Sequence, residues 1–258
     1  MLKKRIIPKF LLSDGRLVKG VRFHENFREA GNPVTTAKVY DSYGVDELIF
    51  LDIQATLKSQ ATMVDVIERA ARDIFMPFTA GGGVRSHADV NRLLRAGADK
   101  VSVNTAAVER PHFVKEAARS FGDQCITVAI DYRRRPDGTH RVWTHGGHRE
   151  TDLDPLEWAL RMQDASCGEI LLCSIDRDGT MEGYDLDMIA KASEALEVPV
   201  IASSGAGSLD DCADALNAGA SAIAIASLFL FTDHSPIKVR SALFSRGLNV
   251  RASTSSRN

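Results

Sequence analysis

The stretch Pro77-Phe78-Thr79-Ala80-Gly81-Gly82-Gly83 returns 122 positions later as Pro199-Val200-Ile201-Ala202-Ser203-Ser204-Gly205. In each copy a short apolar run ends on small residues and glycine, the pattern of a buried strand followed by a tight turn. The same offset lays Gly97-Ala98 on Gly219-Ala220, Thr105 on Ser227 and Glu47 on Glu169. The two halves of the chain are therefore duplicates, and the fold must be one that two equal halves can build.

Working outward, strand-like runs recur at Arg5 to Leu11, Leu48 to Ile53, Pro77 to Ala80, Lys100 to Asn104, Cys125 to Asp131, Ile170 to Ser174, Pro199 to Ser203 and Ala222 to Ala226. Between most of them lie stretches of helical period, including Ala61 to Ile74, Ala88 to Ala96, Phe113 to Ser120, Leu156 to Ala165, Leu186 to Leu196 and Leu209 to Asn217. Continuous rather than alternating apolar strands imply a parallel sheet buried on both faces. Four βα units taken twice close into a (β/α)8 TIM barrel of two half-barrels; an open doubly wound sheet would need a reversal of strand order. Two segments stand outside the repeat. Val18 to Pro33 reads as a mobile loop on the catalytic face, or as an ordinary surface excursion. Arg133 to Thr151, with Pro136-Asp137-Gly138 and His145-Gly146-Gly147, reads as a hairpin inserted after the fifth barrel strand.

A chain of 258 residues suits one such barrel, expected over residues 1–251, with the small polar residues Ala252 to Asn258 as a frayed tail. The formal charge of −2, from 32 basic and 34 acidic residues without a block of either sign, gives no footprint for nucleic acid or a membrane surface. Cys125, Cys167, Cys173 and Cys212 have no metal-type spacing and read as reduced thiols, so neither metal nor cofactor is expected. The start Met-Leu-Lys-Lys-Arg leads directly into a strand, with no apolar run of signal-peptide or membrane length, so a cytoplasmic location is expected.

In a barrel of this kind chemistry gathers where strands end and the following loops begin. Ala80-Gly81-Gly82-Gly83 and its mate Ser203-Ser204-Gly205-Ala206-Gly207 lack bulky side chains, so backbone N–H groups can approach an anion. Asn104-Thr105 and Ala226-Ser227 end the fourth and eighth strands and would add hydroxyls. Two cradles related by the duplication imply a ligand with two phosphates or similar reach; alternatively these turns only let the chain reverse. Past the sixth strand, Asp176 and Asp178 supply carboxylates for a ligand hydroxyl, or for an Asx-turn or helix cap. Asp52 and Asp131 end apolar strands, where a carboxylate is costly without a partner or a task. At the opposite strand ends, Arg5, Glu47, Lys100 and Glu169 can close the floor as a neutral ring, or form routine strand-end ion pairs.

These residues resemble the HisF family, the cyclase subunit of imidazole glycerol phosphate synthase, over about residues 1–251. The resemblance rests on Lys4-Arg5-Ile6-Ile7-Pro8, Asp14-Gly15-Arg16-Leu17-Val18-Lys19-Gly20, Asp46-Glu47-Leu48-Ile49-Phe50-Leu51-Asp52-Ile53, Ala98-Asp99-Lys100-Val101-Ser102-Val103-Asn104-Thr105-Ala106-Ala107 and Ser174-Ile175-Asp176-Arg177-Asp178-Gly179-Thr180. It implies a barrel whose lower face docks a HisH-type glutaminase and passes ammonia through a gate, here Arg5, Glu47, Lys100 and Glu169. It also implies phosphate binding at Gly82, Gly83, Asn104, Thr105, Asp178, Gly179, Gly205 and Ser227, with Lys19, Asp52 and Asp176 as further active-site residues. Of the family's two catalytic aspartates, Asp131 matches the second. The first falls on Leu11, in Pro8-Lys9-Phe10-Leu11-Leu12 where Cys-Leu-Asp-Val is usual, and the usual glycine pair after the seventh strand reads Ser204-Gly205. A family branch with this leucine accompanies bacterial surface-polysaccharide genes. The expectation is therefore an ammonia-relaying subunit that supports amidation of a surface-polysaccharide sugar, with a sugar amidotransferase as a further partner. The alternatives are the histidine-pathway cyclase subunit and a non-catalytic scaffold that binds phosphorylated metabolites.

Overall fold

The computed structural model describes residues 3–23, 27–55 and 64–251. Along the chain run β1 (Arg5–Ser13), β2 (Arg16–Lys19), β3 (Arg28–Gly31), α1 (Pro33–Ser42), β4 (Leu48–Asp52), α2 (Val64–Ala71), β5 (Phe78–Gly81), α3 (His87–Arg95) and β6 (Lys100–Val103). Then follow α4 (Thr105–Glu109), α5 (His112–Phe121), β7 (Ile126–Arg134), β8 (His140–Thr144), β9 (Arg149–Glu150), α6 (Pro155–Asp164) and β10 (Glu169–Ser174). The chain continues through α7 (Leu186–Ala195), β11 (Val200–Ser203), α8 (Leu209–Asn217), β12 (Ala222–Ile225), α9 (Ser227–Phe231) and α10 (Pro236–Ser245).

Eight of these strands, β1, β4, β5, β6, β7, β10, β11 and β12, pair parallel in that order, and β12 returns to β1. The closed (β/α)8 barrel is the one the duplication predicts. Alternation along each strand sorts side chains between two cores. On β1, Ile6, Phe10 and Leu12 face the surrounding helices. Ile7 faces the lumen, where it packs with Ile49, Ala129, Leu171, Cys173, Ile201, Ala222 and Ala224.

The duplication extends to the helix ends. Ser86 Oγ accepts from Asp89 N at the start of α3, and its mate Ser208 Oγ accepts from Asp211 N at 3.1 Å at the start of α8, where Asp211 completes a capping box. Gly97 and Gly219 adopt φ of 111° and 113° after those helices, and a Cβ on either would collide with Ala71 or Ser193, themselves repeat mates.

Two sequence expectations are corrected, and two helices are found where none was expected. Val18 to Pro33 is not wholly a loop: β2 folds back on β1, and β3 pairs antiparallel with β2, so the excursion is a small sheet extending over the barrel mouth. The helices α1 and α10 lack a regular apolar stripe but carry Asn32-Pro33 and Ser235-Pro236 cap signals. Strand ends shift by one to three residues, because β1 and β7 continue past the barrel wall into hairpins. The insert after the fifth barrel strand is the expected hairpin, with β8 antiparallel to β7 and β9 to β8. The expected tail, residues 252–258, and the first residues of the expected helix, 61–63, lie outside the described residues. Cys167, Cys173 and Cys212 are buried and Cys125 half-buried, all as free thiols. Among the described residues no helix is long and apolar enough to cross a membrane.

Candidate functional site

At the N-terminal end of the barrel, Arg5 contacts Glu47 and Glu169 at 2.8 Å each, and Lys100 contacts the same two carboxylates at 3.0 and 2.9 Å. Thr79 Oγ1 adds a hydrogen bond to Glu47 Oε1 at 2.8 Å. Two acids and two bases thus alternate around a closed four-membered ring across the floor. Burial works against the Arg5 charge, but Glu169 and Glu47 outweigh it and hold the guanidinium above its ordinary pKa.

At the other end the lumen opens into a cavity of about 370 Å³, lined among others by Leu11, Asp52, Gly82, Gly83, Asn104 and Asp131. Asn104 Nδ2 donates to Asp131 Oδ2 at 2.7 Å, whereas Asn104 Oδ1 is buried without a partner among the described residues. Burial pushes the Asp131 carboxyl up to about 6, against the opposing pull of Lys9 and of hydrogen bonds from Cys173 and Asn104. Gly82 takes φ of 102°, and a Cβ there would lie 2.2 Å from the Asp52 carbonyl oxygen, so this turn can be made only by glycine. Thr105 Oγ1 accepts from His145 N at 3.0 Å, which leaves its O–H free to donate.

A second, smaller cavity lies between β10, β11 and β12, lined by Lys9, Lys19, Asp178, Gly179, Ser204, Gly205 and Ser227 among others. Asp178 is buried and accepts from Lys19 Nζ at 2.6 Å and Ser204 Oγ at 3.2 Å. Burial disfavours its charge, yet Lys19 and Lys9 win and hold the carboxyl below the usual range. Ser204 reaches this position at φ of 83°, a left-handed conformation that costs a non-glycine residue about 1–2 kcal/mol.

The lumen and mouth thus bring together Asp131, Gly82, Gly83, Asn104, Thr105 and Asp52 at one cavity, and Asp178, Gly179, Gly205, Ser227 and Lys19 at the other. Asp52 is also engaged locally, accepting from Gln54 N and Ala55 N at 3.0 Å each. Asp176 does not join them. It turns to the rim, where Oδ2 accepts from Arg134 N at 2.8 Å and Oδ1 lies 3.5 Å from Arg133, so the hairpin draws it away from the mouth. Leu11 does line the cavity, together with Asp131. Sequence reasoning missed Lys9, a lysine in the lumen with 3% exposure whose Nζ donates to Ser203 Oγ at 2.7 Å. The available signal was its inward register, two residues from both Ile7 and Leu11. It also missed the apolar wall that Phe23 and Phe27 supply from the excursion. No cluster of three or more His, Cys, Asp or Glu suited to a metal occurs among the described residues.

The fold and this geometry define a class: a (β/α)8 barrel with a charged floor and two glycine-edged cavities at its C-terminal mouth. The chain belongs to the family described as histidine biosynthesis protein, whose profile matches residues 5–235. Within that family it is similar to "Imidazole glycerol phosphate synthase subunit HisF" of Streptomyces griseus, 50% identical over 250 residues, covering 97% of this chain and 99% of the relative. The protein of the same name from Mycobacteroides abscessus is 51% identical over 253 residues, covering 96% and 98% respectively. Both of these matches are to HisF over nearly full length.

Proposed function

We propose that this chain is a HisF-type synthase subunit. In this reading a HisH-type glutaminase docks on the N-terminal face, ammonia enters past the ring of Arg5, Glu47, Lys100 and Glu169, and it reacts in the mouth with a ligand held by its phosphates. The observation that carries the reading is the closed ring lying beneath a cavity that contains Asp131. The phosphate contacts assigned to it are Gly82, Gly83, Asn104 and Thr105 in one cradle, and Asp178, Gly179, Gly205 and Ser227 in the other. Asp131, with a carboxyl near 6, is poised to exchange protons near neutral pH and serves as the acid–base group.

The relatives support the cyclase of imidazole glycerol phosphate synthase as the reaction, working with one carboxylate instead of two. Leu11 has no exchangeable proton, and loss of one acid–base partner costs about 10²–10⁴ in rate. That leucine favours a second reading, in which the same ammonia relay serves an acceptor elsewhere, a surface-polysaccharide sugar with its amidotransferase.

Turnover of the synthase's ribulosyl phosphate substrate with saturating ammonium salt tests the barrel without a glutaminase. The cyclase reading expects slow but measurable product, and a partial gain for Leu11→Asp, since the neighbouring Lys9 also alters the pocket. No product from either protein transfers the function to the sugar acceptor. Docking has its own test. Phe75, 93% exposed in the loop before β5, lies at the floor end. Light scattering with the cognate glutaminase should give a one-to-one complex that Phe75→Asp weakens by about tenfold, the scale of one buried aromatic contact.

A further inference from the structure

Between the floor ring and the mouth cavity the lumen wall is of two kinds. Ile7, Ile49, Leu171 and Ile201 make most of it apolar. The seam between β6 and β7 differs. Side chains alternate along a strand, so β6 turns Lys100 and Ser102 inward, with Asn104 just past its end, and β7 turns Thr127, Ala129 and Asp131 inward. Thr127 stands in register with Glu169 of the ring on one side and with Ser102 on the other. Ser102 in turn lines the mouth cavity, so Thr127 adjoins both the ring and the cavity wall. It is 0% exposed, and its Oγ1 has no hydrogen-bond partner among the described residues. Thr79, inward on β5, spends its hydroxyl on Glu47 of the ring instead. A buried hydroxyl left unpaired destabilises the fold, and a valine of the same shape would avoid the cost. The one other unpartnered atom on this seam is Asn104 Oδ1, whose Nδ2 is held by Asp131.

We propose that the Thr127 hydroxyl is the transfer point at which ammonia leaves the floor ring for the mouth cavity, with Ser102 and Asn104 Oδ1 as its next contacts on the way to Asp131. The inference rests on the cyclase reading with its ammonia relay. Ammonia that leaves the ring gives up hydrogen bonds, and an apolar wall returns none of them. A hydroxyl can accept one of its N–H groups or donate to its lone pair. No bond breaks and no proton moves in this step, because ammonia passes as the neutral molecule. The unpaired state of Oγ1 follows from the role: a relay contact that were satisfied within the protein could not hold a guest in passage.

The test uses the full-length chain in complex with its cognate glutaminase, supplied either with glutamine or with saturating ammonium salt. The docked glutaminase covers the floor, so external ammonia enters from the mouth and does not pass Thr127. Thr127→Val keeps the shape and removes the hydroxyl. The ratio of glutamine-driven to ammonium-driven turnover should then fall about fivefold, the worth of one neutral hydrogen bond, while glutamine hydrolysis continues and the melting temperature does not fall. Thr127→Ser keeps the hydroxyl and loses a methyl group, so it should hold the ratio near that of the wild type even where it melts lower. A packing role predicts the opposite order for the two variants. A ratio unchanged in Thr127→Val, as for a hydroxyl that binds only water, or lost equally in Thr127→Ser, overturns the transfer point and leaves the relay in place. A wild-type complex that makes product from ammonium but not from glutamine, or from neither, overturns the relay reading and the transfer point with it.

Discussion

Asp131 and Lys9 face one another's fields in the lumen, and each fixes what the other can do. Burial raises the Asp131 carboxyl to about 6, and Lys9 is the leading influence that keeps it from rising further. Burial likewise disfavours the Lys9 ammonium, but Cys173, Asp178 and Asp131 outweigh it and hold the lysine above its ordinary value. The Asp131 pKa lies above that of a free carboxyl, so the ionised base is lost as pH falls through about 6. Lys9→Met removes the positive neighbour and moves this titration to higher pH. A carbon-13 carboxyl titration, assigned with Asp131→Asn, reads the midpoint directly; one that stays in place or moves down would mean that the two groups do not sense each other. Ser204 makes the same point through the backbone. It retains a left-handed φ that glycine would adopt without strain, and what it gains is the hydroxyl on Asp178.

At the scale of elements, the turns that carry the site are set by the caps behind them. The β11–α8 turn runs from Ser204 to Ser208, and Asp211 Oδ2 fastens it by accepting from Gly207 N at 2.9 Å and Ser208 N at 2.8 Å. The mate, Asp89 Oδ2, accepts from Arg85 N at 3.0 Å in the β5–α3 turn. Ser208→Ala removes one half of the capping box and should cost about 1 kcal/mol. For a chain of this size that lowers the melting temperature by about 2–4 °C in calorimetry. A variant that melts with the wild type would show that the α8 end is held by packing alone. The excursion of β2 and β3 belongs to this scale too, since it brings Lys19 to Asp178 and Phe23 and Phe27 to the cavity wall.

For the whole molecule, closure of the barrel is what makes the floor a ring. Glu47 meets Arg5 and Lys100 along the run from β1 to β6, whereas Glu169 reaches both bases only because β10 pairs with β7 and β12 with β1. Lys100→Met leaves Glu47 and Glu169 sharing Arg5 and should destabilise the fold by up to about 3 kcal/mol. Adding Glu169→Gln restores neutrality and should recover part of the loss, as read by urea denaturation. A double variant no more stable than Lys100→Met would mean that shape, not charge balance, holds the floor together.

The sequence by itself determined the barrel and most of its mouth. A repeat of short apolar strands, each ending in glycine or small residues, admits one closed parallel arrangement, and it puts Gly83, Thr105, Gly205 and Ser227 at strand ends whatever the side chains do. Local chemistry also made the hairpin after the fifth barrel strand legible, through Pro136-Asp137-Gly138 and His145-Gly146-Gly147. Only the tertiary structure separated Asp176 from Asp178, because one rotates to the hairpin and the other to a lysine 159 positions away. Only closure turned four strand-end charges into a ring, and only the shear of the barrel brought Lys9 between the two cavities. Strand periodicity fixes which face a residue takes; what it meets there depends on strands distant in sequence, and that is settled when the barrel closes.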